Sequence, residues 1–177
     1  MTVGPIHHTN ISVTDLERSI AFYRDVLGYR VTMLAPVDKP EFRPYMHVNG
    51  DVTGQMAMLM VGDDVSSGML ELIQWDPPVE NPTPIKTPGD PGILMIALEI
   101  KDETLEEARD RFKSQGVEIY SDVVHIELEG YPAFEGFIIK DPDGVQIELI
   151  KLPTADEVRA FRKSMHEKAA ATAGDAA

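Results

Sequence analysis

From Ile6 to Val13 the chain alternates, with Thr9, Ile11 and Val13 on one side and His8, Asn10 and Ser12 on the other. That period predicts a strand with one apolar and one polar face. Thr14 and Glu17 then stand at capping-box spacing, which announces a helix. Leu16, Ile20, Tyr23 and Leu27 fall on one face of that helix, and Gly28 supplies its stop. A second strand is expected from Tyr29 to Leu34. Ala35 to Gly54 is less regular, because Pro36, Pro40, Pro44 and Gly50 interrupt any long element. Gln55 to Val61 and Met69 to Trp75 read as a hairpin around the polar turn Gly62–Gly68.

The same plan then returns. One displacement carries His8 to Met95 and Asp15 to Asp102, and Leu70-Glu71-Leu72-Ile73 reappears as Ile147-Glu148-Leu149-Ile150. Met95 to Ile100 predicts a strand. A helix capped by Asp102 or Thr104 carries Leu105, Ala108 and Phe112 and ends at Gly116. Strands follow over Glu118–Leu128, Ala133–Lys140 and Val145–Leu152, the last two joined by the turn signature Asp141-Pro142-Asp143-Gly144. The chain therefore divides into a first module at 1–76, a linker at 77–91, a second module at 92–152 and a C-terminal segment at 153–177. Pro77, Pro78, Pro82, Pro84, Pro88 and Pro91 stiffen the linker and bar it from a central strand. Thr154 and Glu157 form a further capping box, ahead of Val158, Phe161 and Met165 at helical spacing, and Ala169 to Ala177 is expected to fray. The first copy is the longer one, its extra length falling in 35–54, where an insertion can form a lid or merely slack.

Composition narrows the function classes. The 177 residues are 43% hydrophobic and 26% charged, as in an ordinary globular protein. A formal net charge of −14 argues against nucleic acid or an anionic membrane as partner, while leaving a small molecule open. No cysteine is present, so thiolate catalysis, thiolate metal sites and disulfides are excluded. Neither a signal-peptide pattern nor an apolar run near the ~20 residues of a membrane helix occurs, so a cytoplasmic protein is expected.

Strand parity then assembles candidate chemistry. If Thr9 and Ile11 pack under the first helix, His8 points to the opposite face of its sheet. By the same count Glu71, Met95 and Glu148 leave their helix sides. Two curved sheets facing one another would bring these four towards a shared cavity. One imidazole and two carboxylates suit a divalent ion such as zinc, nickel, cobalt, manganese or iron, which polarises a carbonyl while a carboxylate removes the neighbouring proton. Spacing alone equally allows Glu71 and Glu148 to be plain exposed strand residues.

Three stretches carry a resemblance: His8 with Val13-x-Asp15-Leu16; Ser19-x-x-Phe22-Tyr23-x-x-Val26-Leu27-Gly28; and Asp141-Pro142-Asp143-Gly144 leading to Ile147-Glu148-Leu149. In these the chain resembles the vicinal oxygen chelate superfamily of glyoxalase I, methylmalonyl-CoA epimerase, extradiol dioxygenases and fosfomycin- and bleomycin-resistance proteins. The likeness covers about residues 4 to 152. It implies an α+β fold of two paired βαβββ modules forming a cup-shaped, partly open barrel, with a C-terminal helix added. Carried over by position, it implies metal ligands at His8, Glu71 and Glu148. The remaining ligand, usually a histidine, falls on Met95, and a thioether is a poor partner for a hard divalent ion. That departure speaks against extradiol and fosfomycin-type chemistry, which need the missing histidine.

The expected function is thus a small glyoxalase-like or epimerase-like metalloenzyme, an isomerase or lyase, moving a proton beside a carbonyl. Glu148 or His125 would serve as base, and His125 could also replace the missing ligand. Met95, Trp75, Arg43, Tyr45 and His47 are candidate substrate contacts, within a cup that abundant methionines would make adaptable and apolar. His7, of opposite parity to His8, is expected to face away. One alternative is a metal-free binding protein that sequesters an aromatic or cationic compound; another is a metal-free isomerase or cyclase using the same cup. The modules could pair within one chain or across a homodimer, and a homodimer is the expectation.

Overall fold

The structure, a computed structural model, describes residues 3–41, 45–46, 52–64, 67–78, 87 and 89–174. The chain divides into two units, Met1–Ile85 with Asp141–Val145, and Lys86–Lys140 with Gln146–Ala177. The strands of each unit form a four-stranded mixed sheet, and the class is α+β.

In the first unit β1 (His8–Ser12) leads into α1 (Leu16–Ala21), whose last turn widens into a π-type turn over Phe22–Val26. Gly28 follows at φ 76°, a left-handed conformation that glycine adopts without steric cost. Strands β2 (Arg30–Val37), β3 (Thr53–Met60) and β4 (Met69–Asp76) complete the unit in the order β1-β4-β3-β2. Only the β1–β4 pair is parallel, because only that connection passes through the helix. β2 runs through Pro36 to Val37, further than the sequence predicts. As the edge strand it tolerates a residue with no N–H to give.

The second unit repeats the topology. β5 (Met95–Glu99), α2 (Leu105–Ser114), β6 (Val124–Leu128), β7 (Tyr131–Lys140) and β8 (Gln146–Lys151) give the sheet order β5-β8-β7-β6. Residues 118–123 do not join β6 as predicted; Ile119 makes one isolated bridge to Ile139. α3 (Ala155–Gly174) packs on β7 and extends past Ala169, where fraying is expected.

Each helix covers the apolar face of its own sheet. Leu70 and Leu72 stand in register with Thr9 and Ile11, and Leu72, Ala57 and Leu59 are fully buried. α2 buries Leu105, Ala108 and Phe112, and the Phe112 ring lies 6.2 Å from that of Phe137. Fully burying one such large apolar side chain contributes about 1.5–3 kcal/mol, so these two faces hold the sheets in the register that fixes the opposite faces. Thr104, not Asp102, caps α2 and forms a capping box with Glu107, and Thr154 and Glu157 exchange the matching bonds of their predicted box at the start of α3.

The first helix is capped differently from the prediction. Asp15, not Thr14, is the N-cap, its carboxylate accepting the Arg18 N–H at 3.0 Å. Thr14 instead gives its N–H (3.1 Å) and its hydroxyl (2.5 Å) to Asp143. Arg18 reaches the same carboxylate at 2.8 Å. One turn further on, the buried Tyr23 hydroxyl donates to Asp141 at 3.0 Å. Asp141 also accepts the N–H groups of Asp143 and Val145, at 2.9 and 2.8 Å. The Asp-Pro-Asp-Gly turn is thereby stitched to α1, and these acids serve packing within the first unit. Burial, then the Asp141 charge and hydrogen bond, pushes the Tyr23 phenol far above its usual range. Burial also raises Asp141, against the lowering effect of its hydrogen bonds from Val145, Tyr23 and Asp143.

Candidate functional site

With Thr9 and Ile11 turned towards the core, the β1 alternation leaves His8, Asn10 and Ser12 on the other face. The parallel register sets Asn10 opposite Glu71, so the two side chains rise together. Asn10 Nδ2 donates to Glu71 Oε2 at 2.7 Å, and His8 Nε2 stands 3.5 Å from that same oxygen. The His8 side chain is 39% exposed and that of Glu71 only 14%, so the imidazole lies at the open edge of a largely sheltered carboxylate. Met58 and Met33 are in register with Glu71 across β3 and β2, which places a methionine surface beside these polar groups. Trp75 lies on the same face and donates its indole N–H to Ser12 Oγ at 3.3 Å.

His7 differs from expectation. It precedes the first ladder residue of β1, so strand alternation does not govern its side chain. Its ring meets that of His8 edge-on, with centroids 5.2 Å apart and the two Nδ1 atoms 2.9 Å apart. One Nδ1 carries the proton and donates; the other accepts.

The corresponding positions of the second unit read otherwise. Ala97 is in register with Glu148 as Asn10 is with Glu71, and Met95 stands on that face where the first unit has His8. Glu148 is half-buried, and among the described residues its carboxylate has no hydrogen bond or ion pair. His125 belongs elsewhere. It pairs in register with Glu135, which is in turn opposite Lys151, and this puts the imidazole on the face of the sheet away from Glu148. There it lies 3.5 Å from Glu135 and 3.7 Å from Glu127, both exposed carboxylates. Within the second unit, His125 and Glu148, the two candidate bases, therefore do not share a face. Of the inserted-segment candidates, Tyr45 is exposed, whereas Arg43 and His47 lie outside the described residues.

His8 Nε2 and Glu71 Oε2 offer one nitrogen and one oxygen close together, a mixture suited to zinc and its first-row neighbours. Among the described residues no three His, Asp or Glu side chains gather into a group able to hold an ion. Among the described residues the first unit thus brings together two donors and not a complete ligand set.

Residues 5–149 match the Glyoxalase/Bleomycin resistance protein/Dioxygenase superfamily, and the chain belongs to it. A lactoylglutathione lyase of Neisseria meningitidis serogroup A is 31% identical over 160 residues, covering 88% of this chain and 96% of that protein. The glyoxalase I of Leishmania major, described as trypanothione-dependent, superposes with a TM-score of 0.52 at 28% identity over 96% of this chain and 95% of its own. A glyoxalase family protein from Bacillus cereus shares the fold at TM-score 0.70 and 20% identity, over 85% of this chain and 95% of that one. The protein is accordingly a glyoxalase-like enzyme. Among the described residues no helix is long and apolar enough to cross a membrane.

Proposed function

We propose that this enzyme is a cytoplasmic, homodimeric isomerase or lyase that uses a divalent ion to move a proton beside the carbonyl of a small organic substrate. The observation supporting the proposal is the approach of His8 Nε2 to Glu71 Oε2 at 3.5 Å, at the positions where the resemblance implies metal ligands. His8 and Glu71 would hold the ion, with Glu148 as the ligand position of the second unit. Bound there, zinc, nickel, cobalt, manganese or iron(II) supplies Lewis acidity to a substrate oxygen.

The side chains divide the remaining work. Asn10 fixes the Glu71 carboxylate by its 2.7 Å bond, which suits a holding role. Among the described residues Glu148 has no such donor, Ala97 standing where the first unit has asparagine, which suits a carboxylate that accepts a proton from the carbon next to the carbonyl. The methionine and tryptophan surface beside Glu71 excludes water from an apolar substrate body.

The relative from Neisseria makes a thioester of an α-hydroxy acid the first substrate to try. Incubated with enzyme in D2O, lactoylglutathione is expected to take up deuterium at its hydroxyl-bearing carbon, and a chelator or Glu148→Gln is expected to stop the exchange. Exchange that continues at full rate with chelator present overturns the metal requirement.

A further inference from the structure

Trp75 lies on the Glu71 face of the first sheet with both edges of its ring held. Its indole N–H donates to Ser12 Oγ of β1 at 3.3 Å. On the other side of β4 it stands in register with Gly54 of β3. A Cβ at Gly54 would lie 3.3 Å from the indole Cε3 and 2.7 Å from the Gln74 carbonyl oxygen, so only glycine lets the ring and the backbone approach this closely. The ring is nonetheless part-exposed. With its N–H engaged, what it offers a ligand is apolar ring surface. The second unit has none of this set. Continuing the shared registers, Gly54, Trp75 and Ser12 correspond to Phe134, Leu152 and Glu99. That sheet reaches the same topology, so the fold does not by itself demand the clamp.

We propose that Trp75, clamped between Gly54 and Ser12, is a specificity-determining residue that takes an aromatic ring carried by the substrate while the reacting carbonyl lies at Glu71; the proposal rests on the reading of this sheet face as the reaction site. Between the two ends the face offers Ile73 with Met56 in register beside it, and Met58 beside Glu71. From Glu71 to Trp75 the strand rises by about 13 Å, at ~3.3 Å per residue. The substrate this fits is elongated, with an aryl group at one end, the carbonyl at the other and an uncharged apolar body between them. A leucine, as in the second unit, would serve an aliphatic end through burial alone. An indole adds the offset-stacked or edge-to-face attraction that aromatic pairs gain beyond buried area. The thioethers beside the path favour ring contacts in the same way. Holding the indole at both edges before the ligand arrives also lowers the ordering cost of binding.

The test uses the full-length protein with chelator present and two probes, naphthalene-2-carboxamide and its fully saturated decahydro counterpart. Trp75 is the chain's one tryptophan, so a single indole N–H resonance reports on it. The aromatic amide is expected to shift that resonance through its ring current and to bind about 3–10-fold more tightly than the saturated one. Trp75→Leu, which installs the residue of the second unit, is expected to bind the two amides alike, and Trp75→Phe to keep most of the preference. Ser12→Ala, which frees one edge of the indole without touching the core, is expected to weaken the aromatic amide and leave the saturated one unchanged. Absence of binding or of an indole shift in wild type, equal affinities for the two amides there, or a preference undiminished in Trp75→Leu overturns the proposal. The reaction reading fails separately: a ring preference found alongside no proton exchange on lactoylglutathione or on aryl-bearing thioesters removes the proton transfer and leaves the aryl site standing.

Discussion

Replacing Tyr23 by Phe isolates the bond that stitches the Asp-Pro-Asp-Gly turn to α1. The Tyr23 side chain is fully buried, with ring contacts to Phe22 at 5.3 Å and Tyr29 at 6.0 Å that a phenylalanine preserves. What disappears is the 3.0 Å donation to Asp141 Oδ2. Asp141 is 5% exposed, and its two backbone donors both serve Oδ1, so Oδ2 is left buried without a partner. A hydrogen bond to a charged group contributes about 1.5–3 kcal/mol, and a deserted buried acceptor falls in the same range, so a loss of about 2 kcal/mol is expected. Urea unfolding followed by tyrosine and tryptophan fluorescence measures it; a lower midpoint at unchanged slope is the signature. The pH dependence supplies a second check. Burial holds the folded pKa of Asp141 above its ordinary 3.8, so the native state binds the proton more readily than the unfolded chain. The cost of burying this charge is fully present above the raised folded value and is relieved as pH falls through it. The deficit of Tyr23→Phe is thus expected to shrink on acidification, because a protonated Asp141 loses less with its partner. A deficit under about 0.5 kcal/mol at neutral pH, the level of an ordinary surface substitution, would refute the reasoning.

Three other substitutions probe separate parts of the account. Glu148→Gln is expected to lower turnover by about 10²–10⁴-fold, the usual worth of a general base, with bound metal measured alongside to separate proton transfer from ion loss. His125→Ala is expected to leave turnover unchanged, since that imidazole shares its sheet face with Glu135 and not with Glu148; a large loss in a steady-state assay would contradict the register argument. Thr104→Ala is expected to cost about 1 kcal/mol in thermal or urea unfolding by opening the α2 capping box. Its effect is expected to fade in acid. Glu107, held below its ordinary 4.5 first by the backbone N–H and then by the hydroxyl of Thr104, contributes above that value and loses its contribution as pH falls through the lowered one.

Where local alternation governs, the sequence was readable. Thr9 and Ile11 against His8 and Asn10, and Leu70 and Leu72 against Glu71, orient both strands; the register sets Asn10 opposite Glu71, and His8 shares that face with its Nε2 3.5 Å from the carboxylate. The repeat made the second sheet readable from the first. What escaped depends on contacts distant in sequence or on positions outside the ladder. Thr14 looks like a cap by spacing, but Asp143 arrives from far along the chain and takes both its hydrogen bonds, leaving Asp15 to cap α1. His7 lies beyond the reach of parity, which has no force before β1 begins. His125 could not be assigned because β6 starts later than its pattern suggests and shifts register between Ile126 and Leu128. Tyr23 reads as one more apolar position on a helical face; only its buried partner Asp141 gives its hydroxyl a purpose.

Elemental analysis of the purified protein, made on wild type, His8→Ala and Glu71→Ala together, tests the central claim most directly. About one divalent ion per chain is expected in wild type, with substantial loss in both variants while each retains its fold by circular dichroism. A wild type that carries and binds no divalent ion, or equal ion content in all three proteins, would contradict it.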